Sequence, residues 1–311
     1  MKDFNRVVAI HAPATVANMV CGFDILGFAL MDPYDEMEMK LLREPVVRII
    51  NNDAYNLPAD PEKNVAGAAL LAMMKRMDNA VGFEVVIKKN IKPGSGIGSS
   101  AASSAGAVAG ANYLLNNLFT DNELVEFAMC GEEVASGVKH ADNITPCILG
   151  GVTLIRSTDP LDIVTLSAPE LFVTIVHPQI EVKTENARKI LKHNVDLKSA
   201  IKQWGNVAGL VAGLLKSDYD LIGRSLEDVI VEPVRSILIP GFDTIKQKSK
   251  DAGALGGGIS GSGPSVFMLS RNIETAEAVQ KVMSEVYDNL AIDYHTYVTT
   301  VNPQGVKVYE L

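Results

Sequence analysis

Residues 93–104 read Pro-Gly-Ser-Gly-Ile-Gly-Ser-Ser-Ala-Ala-Ser-Ser. Three glycines and five serines fall within twelve positions, with one large apolar residue, so this stretch builds no core. Its flanks decide its meaning. Upstream, residues 82–91 alternate: Phe83, Val85 and Ile87 share one face while Glu84 and Lys88 fall mostly on the other, the pattern of a strand with one solvated side. Downstream, residues 99–118 are rich in alanine and end in Tyr113, Leu114, Leu115 and Leu118, which predicts a buried helix. A flexible linker would rarely sit between two such elements. A glycine-rich turn entering a helix offers unpaired N–H groups and the positive end of the helix dipole, and glycine lets an anion approach the backbone closely. Hydroxyls at Ser95, Ser99 and Ser100 add donors, and Lys88, Lys89 and Lys92 form a local basic cluster. The stretch therefore reads as a triphosphate site. Two common loops are excluded: the lysine of G-x-x-x-x-G-K-[ST] is missing, and Gly94-x-Gly96-x-Gly98 is one residue tighter than G-x-G-x-x-G.

The whole chain frames that site. At 311 residues, two domains are expected, and 47% hydrophobic with 21% charged residues is ordinary globular composition. A net charge of −9 disfavours a nucleic-acid partner and requires a polyanion to find a local basic spot. The three cysteines, Cys21, Cys130 and Cys147, show no C-x-x-C spacing and read as reduced, buried thiols of a cytoplasmic protein. No uninterrupted apolar run is long enough to span a bilayer, and residues 1–10 make a poor signal peptide, so no membrane partner is expected.

Strands are expected at 6–11, 36–42, 46–50, 152–156, and near 171–177, 264–270 and 294–301. Helices are expected at 64–77, at 121–135 with Asp121 as cap, and near 184–193, 198–216, 218–230, 241–251 and 273–288. Residues 157–170, with two prolines and three acids, read as a boundary between units 1–165 and 166–311. Strands and helices mix without strict alternation, which predicts an α+β fold rather than a doubly wound sheet.

Gly96-Ile97-Gly98-Ser99-Ser100-Ala101-Ala102 resembles the phosphate loop of the GHMP kinases, P-x-x-x-G-L-G-S-S-A-A, with Ile for Leu and with Lys92, followed by Pro93, where the family has its proline. Two further stretches are similar to family motifs in the right order: Ala12 to Asn18 followed by Gly22 to Gly27, and Gly256 to Ser265. Lys139 to Asn143 followed by Gly150-Gly151, Thr184-x-x-x-Arg188, and Glu232-Pro233-Val234-Arg235 resemble the branch of that family acting on homoserine. The resemblance spans nearly the whole chain. It implies an N-terminal ribosomal-protein-S5-like α/β domain, a C-terminal ferredoxin-like α+β domain, and a site in the cleft between them. It also implies transfer of phosphate from ATP to the hydroxyl of L-homoserine with Mg²⁺, as a step toward threonine, and a homodimer by analogy.

Carried over residue by residue, the resemblance implies these roles. The loop Pro93, Gly94, Ser95, Gly96, Ile97, Gly98, Ser99, Ser100, Ala101 and Ala102 holds the nucleotide, and Asn64 contacts adenine. Ser100 and Glu132 hold Mg²⁺, a hard cation that takes carboxylate and hydroxyl oxygens. Arg188 and Arg235 bind the substrate carboxylate, suited by a planar two-pronged fork. Asp24 meets the ammonium or the hydroxyl, with Asn18, Thr184 and His140 beside it. His140 is read as an orienting or packing group rather than a base. Asn143 is expected in the site, with Asp142 turned away, so that no strong base stands by the hydroxyl. Two rival readings remain: another enzyme of the same family, acting on mevalonate, an isoprenoid precursor or a sugar, and a non-catalytic ligand sensor.

Overall fold

The computed structural model describes residues 3–182, 184–192 and 194–311, without the side chains of residues 184–186. A seven-stranded sheet is built on the antiparallel pair β1 (Val7–Ala17) and β2 (Leu26–Leu42). On the far side of β2 lie β4 (Gly82–Lys88) and β3 (Val47–Asn51), the latter parallel and connected through α1 (Val65–Arg76). The start of β2 also pairs with β5 (Val152–Thr158), which forms a hairpin with β6 (Leu161–Leu166).

The apolar alternation read in 82–91 faces α2 (Ser99–Leu114), against which α1 and α3 (Asp121–Ser136) pack in turn. Met37, Met39 and Leu41 of β2 stand opposite Ile87, Val85 and Phe83, so one apolar face runs across both strands. Small residues bring α2 down onto that face. A Cβ on Gly110 would stand 2.6 Å from the Ile10 side chain, and one on Gly106 would stand 2.9 Å from both Ala12 and Met37. α2 is buried nearly all round, as a helix of alanine, glycine and small polar residues can be.

The second sheet is antiparallel, in the order β10 (Tyr294–Thr300), β7 (Phe172–Pro178), β9 (Val266–Ser270), β8 (Gly256–Ile259). Val176, Ile245, Met283 and Tyr287 form its own core with α9 (Phe242–Asp251) and α10 (Ile273–Leu290). Val173, Ile175, Phe267 and Leu269 instead join the main core. There the Phe28 and Phe267 rings meet edge to face at 5.8 Å and tie the two sheets together. α6 (Leu197–Lys216) and α7 (Tyr219–Ser225) pack together, with Leu210, Leu214 and Ile222 inward.

The fold is α+β, as expected, with differences of detail. The helix expected over 99–118 stops at Leu114, and the one expected over 218–230 stops at Ser225. Thr120, not Asp121, caps α3, in a reciprocal capping box with Glu123. Residues 157–170 are not a plain linker: they contain the end of β5 and all of β6, because Ile163 and its neighbours find strand partners in the first sheet. The sheets also do not follow units 1–165 and 166–311 strand for strand. β11 (Lys307–Glu310) returns past the second sheet and pairs with β1, Ile10 opposite Val308. Among the described residues, no helix is long and apolar enough to cross a membrane.

Candidate active site

A cleft of about 360 Å³ is lined from both halves of the chain: Gly94, Gly96, Gly98 and Ser100 come from the glycine-serine loop, and Arg188, Arg235 and Gly261 from the second half. Gly94, Gly96 and Gly98 all have left-handed backbone, with φ of 76°, 84° and 72°. Each successive reversal turns the chain so that it enters α2 at Ser99. At Gly98 the conformation and the space both demand glycine, since a Cβ would lie 2.0 Å from Thr15 Oγ1. The 256–265 turn packs behind the loop: the Ser260 hydroxyl donates to the Gly96 carbonyl at 2.8 Å, and the Ser265 amide to the Ser95 carbonyl at 3.2 Å. β1 holds the loop from another side through the Thr15 amide, which donates to the Ile97 carbonyl.

The loop hydroxyls are less uniformly available than the sequence suggested. Ser99 donates to the Ile91 carbonyl, and Ser95 is buried with its hydroxyl unpartnered. Ile97, Ala101 and Ala102 are core residues that anchor the loop. Ser100 alone turns its hydroxyl across the cleft, donating to Glu132 Oε2 at 2.7 Å. Burial pushes the Glu132 carboxyl up to about 7, and hydrogen bonds from Ser100 and Ser136 offset this only in part. Among the described residues, no group of three or more His, Cys, Asp or Glu is placed to hold a metal ion by itself. One carboxylate and one hydroxyl are nevertheless what Mg²⁺ takes from a protein when phosphates and waters complete its shell. A carboxyl raised by burial is also one that a cation would return to its charged form. The residues present fit Mg²⁺.

The basic cluster read at 88–92 disperses in three directions. Lys88 pairs with Glu36 on the surface, and Lys92 donates to Gln179. Lys89 is buried under the loop, where it donates to Asp35, to the Ser99 carbonyl at 2.7 Å and to Ser103 at 2.9 Å. Asp35 in turn accepts from the amides of Asn90 and Ile91. This buried pair stitches β2 and β4 to the first turn of α2.

Opposite charges gather in another part of the cleft. Arg188, on α5 (Thr184–Lys189), donates to both Asp24 oxygens at 3.0 Å. Arg235, on the short α8 (Glu232–Arg235), is buried and donates to the carbonyls of Ala187 and Gly261. The Phe23 ring lies beneath both guanidinium groups, 5.5 Å from Arg188 and 4.9 Å from Arg235. Asn18 accepts from the Asp24 amide and donates to the Gly261 carbonyl, joining the halves of the chain. The turn behind it is strained: Asn18, Met19 and Val20 are left-handed in succession, at φ 73°, 41° and 66°. That conformation is rare for a β-branched residue such as Val20, and such strain concentrates at functional sites.

His140 Nδ1 stands 3.8 Å from Asp24 Oδ1. Burial holds its pKa below the usual 6.5, with Asp24 opposing and both arginines adding to the shift. Asn143, just ahead of α4 (Ile144–Leu149), accepts through Oδ1 from the Thr15 hydroxyl at 2.7 Å. Asp142 is not turned away from the site. It lines the cleft, and burial followed by the charges of Asp24 and Glu132 pushes its carboxyl up to about 7.

Most of the expected site residues line this one cleft. Asn64 does not: its side chain caps α1, accepting from the Ala66 and Gly67 amides and donating to Pro58, so the packing of α1 consumes it. Leu57 and Val65 line the cleft nearby instead. Thr184 begins α5, and its side chain lies outside the described residues. The sequence reading missed Asp142 and Phe23. Phe23 sits inside a quoted motif, Gly22-Phe23-Asp24, and that adjacency to Asp24 was the available signal.

Comparison with known proteins agrees with this geometry. Residues 64–151 match the GHMP kinases N terminal domain, and residues 210–289 match the GHMP kinases C terminal domain. Homoserine kinase of Chloroherpeton thalassium is 45% identical, over 97% of this chain and 99% of that protein. Homoserine kinase of Chlorobium phaeobacteroides is 48% identical, over 97% and 99%. The crystal structure of homoserine kinase from Cytophaga hutchinsonii superposes with a TM-score of 0.94 at 48% identity, covering 99% of each chain. The chain belongs to the GHMP kinases, in their homoserine kinase family.

Proposed function

We propose that the chain phosphorylates the hydroxyl of L-homoserine with ATP, giving O-phospho-L-homoserine. One observation carries the reading: a single cleft holds both a phosphate-cradling loop and a cluster of Asp24, Arg188 and Arg235 that complements a small zwitterion. The amides at the head of α2 and the helix dipole would hold the transferring phosphate. Ser100 and Glu132 would carry Mg²⁺, which neutralises phosphate charge. Arg188 and Arg235 would clamp the carboxylate, Asp24 the ammonium, and His140, neutral at pH 7, would pack beside it. With its oxygen engaged by Thr15, Asn143 would present its amide N–H₂ to the cleft, a donor rather than a base. Phosphoryl transfer asks mainly for in-line positioning and charge neutralisation, so direct attack by the hydroxyl suffices. We extend the reading to a homodimer by family analogy and to a cytoplasmic setting.

A second route for the hydroxyl proton ends on Asp142, a buried residue bordering the cleft whose carboxyl burial pushes up to about 7. Asp142→Asn with kcat intact assigns the proton to the phosphate, and a loss of about a hundredfold or more assigns it to Asp142. The overall reading is tested by ATP consumption with Mg²⁺ and L-homoserine, mevalonate or L-threonine in parallel. Turnover with L-homoserine alone is expected. Turnover with mevalonate instead keeps the loop and removes the zwitterion pocket, because mevalonate has no ammonium for Asp24. ATP binding with silence on all three favours a sensor.

A further inference from the structure

α6 carries its apolar residues on two faces. The inner face is accounted for: Leu210, Gly213 and Leu214 are buried, and Gln203 bonds to the Cys21 carbonyl and the Val229 amide. The outer face is not. Leu197 is 67% exposed, Ile201 57%, Trp204 62% and Leu215 56%, with Ala208 also exposed and Val211, half-buried against the main core, at the edge of the row. The spacing of these six positions alternates four and three along the helix, the 3.5-residue repeat of a helix that packs lengthwise on another helix. A single helix packing into a globular core needs no such seam on its solvent side, and nothing among the described residues covers this one.

The seam is complementary to itself. A two-fold axis crossing the helix at Asn206 sets Leu197 opposite the partner's Leu215, Ile201 opposite the partner's Val211, and Trp204 opposite the partner's Ala208. Each pairing is apolar, and the largest side chain meets the smallest. Gly205, beside the axis, leaves room for the close approach: no atom lies within 4 Å of where its Cβ would stand. The same axis sets Asp196, at the helix N-cap, opposite the partner's Lys216, at its last turn, so opposite charges close both ends. A parallel pair would instead set like charges side by side. A pattern in which residue i meets j while j meets i is what an isologous dimer requires.

We propose that the outer face of α6 is the seam of a homodimer, two copies of the helix packing antiparallel about a two-fold near Asn206. The proposal gives a surface to the homodimer read above and rests on that reading for the existence of a dimer. With 20 residues in the helix the seam is about 30 Å long.

The test is sedimentation of the full chain at tens of micromolar, with two variants. Wild type is expected at twice the single-chain mass of 33.3 kDa, and Ile201→Glu/Trp204→Glu at the single mass. Both substitutions replace side chains exposed in the single chain, so the variant is expected to fold and to keep its ATP consumption, with its melting temperature lowered only by the lost association. Asp196→Cys/Lys216→Cys, whose two sites lie about 30 Å apart within one chain, is expected to form disulfide-linked dimers on mild oxidation. A monomeric wild type overturns the dimer and its surface together, while leaving the kinase reading to its own assay. A dimeric Ile201→Glu/Trp204→Glu variant keeps the dimer but removes this face. A failure of the cysteine pair to cross-link overturns the antiparallel register.

Discussion

One nitrogen of the Arg188 guanidinium donates to both carboxylate oxygens of Asp24, each at 3.0 Å. The cation comes from the second half of the chain and the anion from the loop after β1. The pair presents side by side the two charges that an α-amino acid carries on one carbon. A zwitterion arriving in the cleft can exchange one ion pair for two.

Arg188→Gln is therefore expected to raise KM for L-homoserine while leaving KM for ATP near wild type. Charge-assisted hydrogen bonds are worth about 1.5–3 kcal/mol, so a loss of roughly 10- to 100-fold in kcat/KM is expected. Steady-state kinetics with each substrate varied in turn checks this. Equal changes in both KM values would make Arg188 a general prop of the fold.

Asp142 gives a pH dependence of known sign. Its native carboxyl holds a proton up to about 7, against an ordinary value of 3.8. Between those values the native state binds more protons than the unfolded chain, so the group's contribution to stability is full below about 4 and is lost as pH rises through about 7. Asp142→Asn, which keeps the shape and removes the titration, should gain on wild type as pH rises. Melting temperatures of both proteins at pH 5 and pH 8 test this, and a constant difference between them would refute it.

Gly94 and Gly98 share a left-handed conformation but not a neighbourhood. Beside Gly94 a Cβ meets nothing within 4 Å, whereas beside Gly98 it meets Thr15 Oγ1 at 2.0 Å. Gly94→Ala should cost about 1–2 kcal/mol, the backbone strain alone. Gly98→Ala should cost clearly more and should also weaken ATP binding, because Thr15 orients Asn143 as well as bracing the loop. Urea unfolding combined with nucleotide titration separates the two.

Lys89 and Asp35 are buried together beneath the loop. Removing one partner strands the other's charge, a loss of about 3–5 kcal/mol. Lys89→Met should thus fall well below wild type in thermal unfolding. Lys88→Met, whose side chain pairs with Glu36 at the surface, should shift the melt little.

Elements with a strong period are legible in the sequence alone. Phe83, Val85 and Ile87 announced β4, and the alanines after Ser99 announced α2. β6 was hidden because Asp159, Pro160 and Asp162 look like a linker until Ile155 supplies a partner for Ile163. β11 was hidden for the same reason: a short strand is defined by what it pairs with, and β1 lies about 300 residues away along the chain. In the site, glycines and arginines could be read because their chemistry is specific to type. Asn64 misled because a helix cap and a ligand contact use the same amide. Asp142 and Asn143 both border the cleft because packing fixes the turn ahead of Ile144 that carries them, and no local pattern announces how that turn faces.

The return of β11 to β1 also sets an order in time. β1 is synthesised about 300 residues ahead of β11, the last of the described strands to be made. At 5–20 residues per second, the edge of β1 waits about 15–60 s for its neighbour. For that interval the nascent nucleotide lobe carries an open strand edge that any extended segment could occupy, the hazard that exposed edges carry in general. The lobe that begins first in the chain is thus completed last, after the whole second sheet has been synthesised.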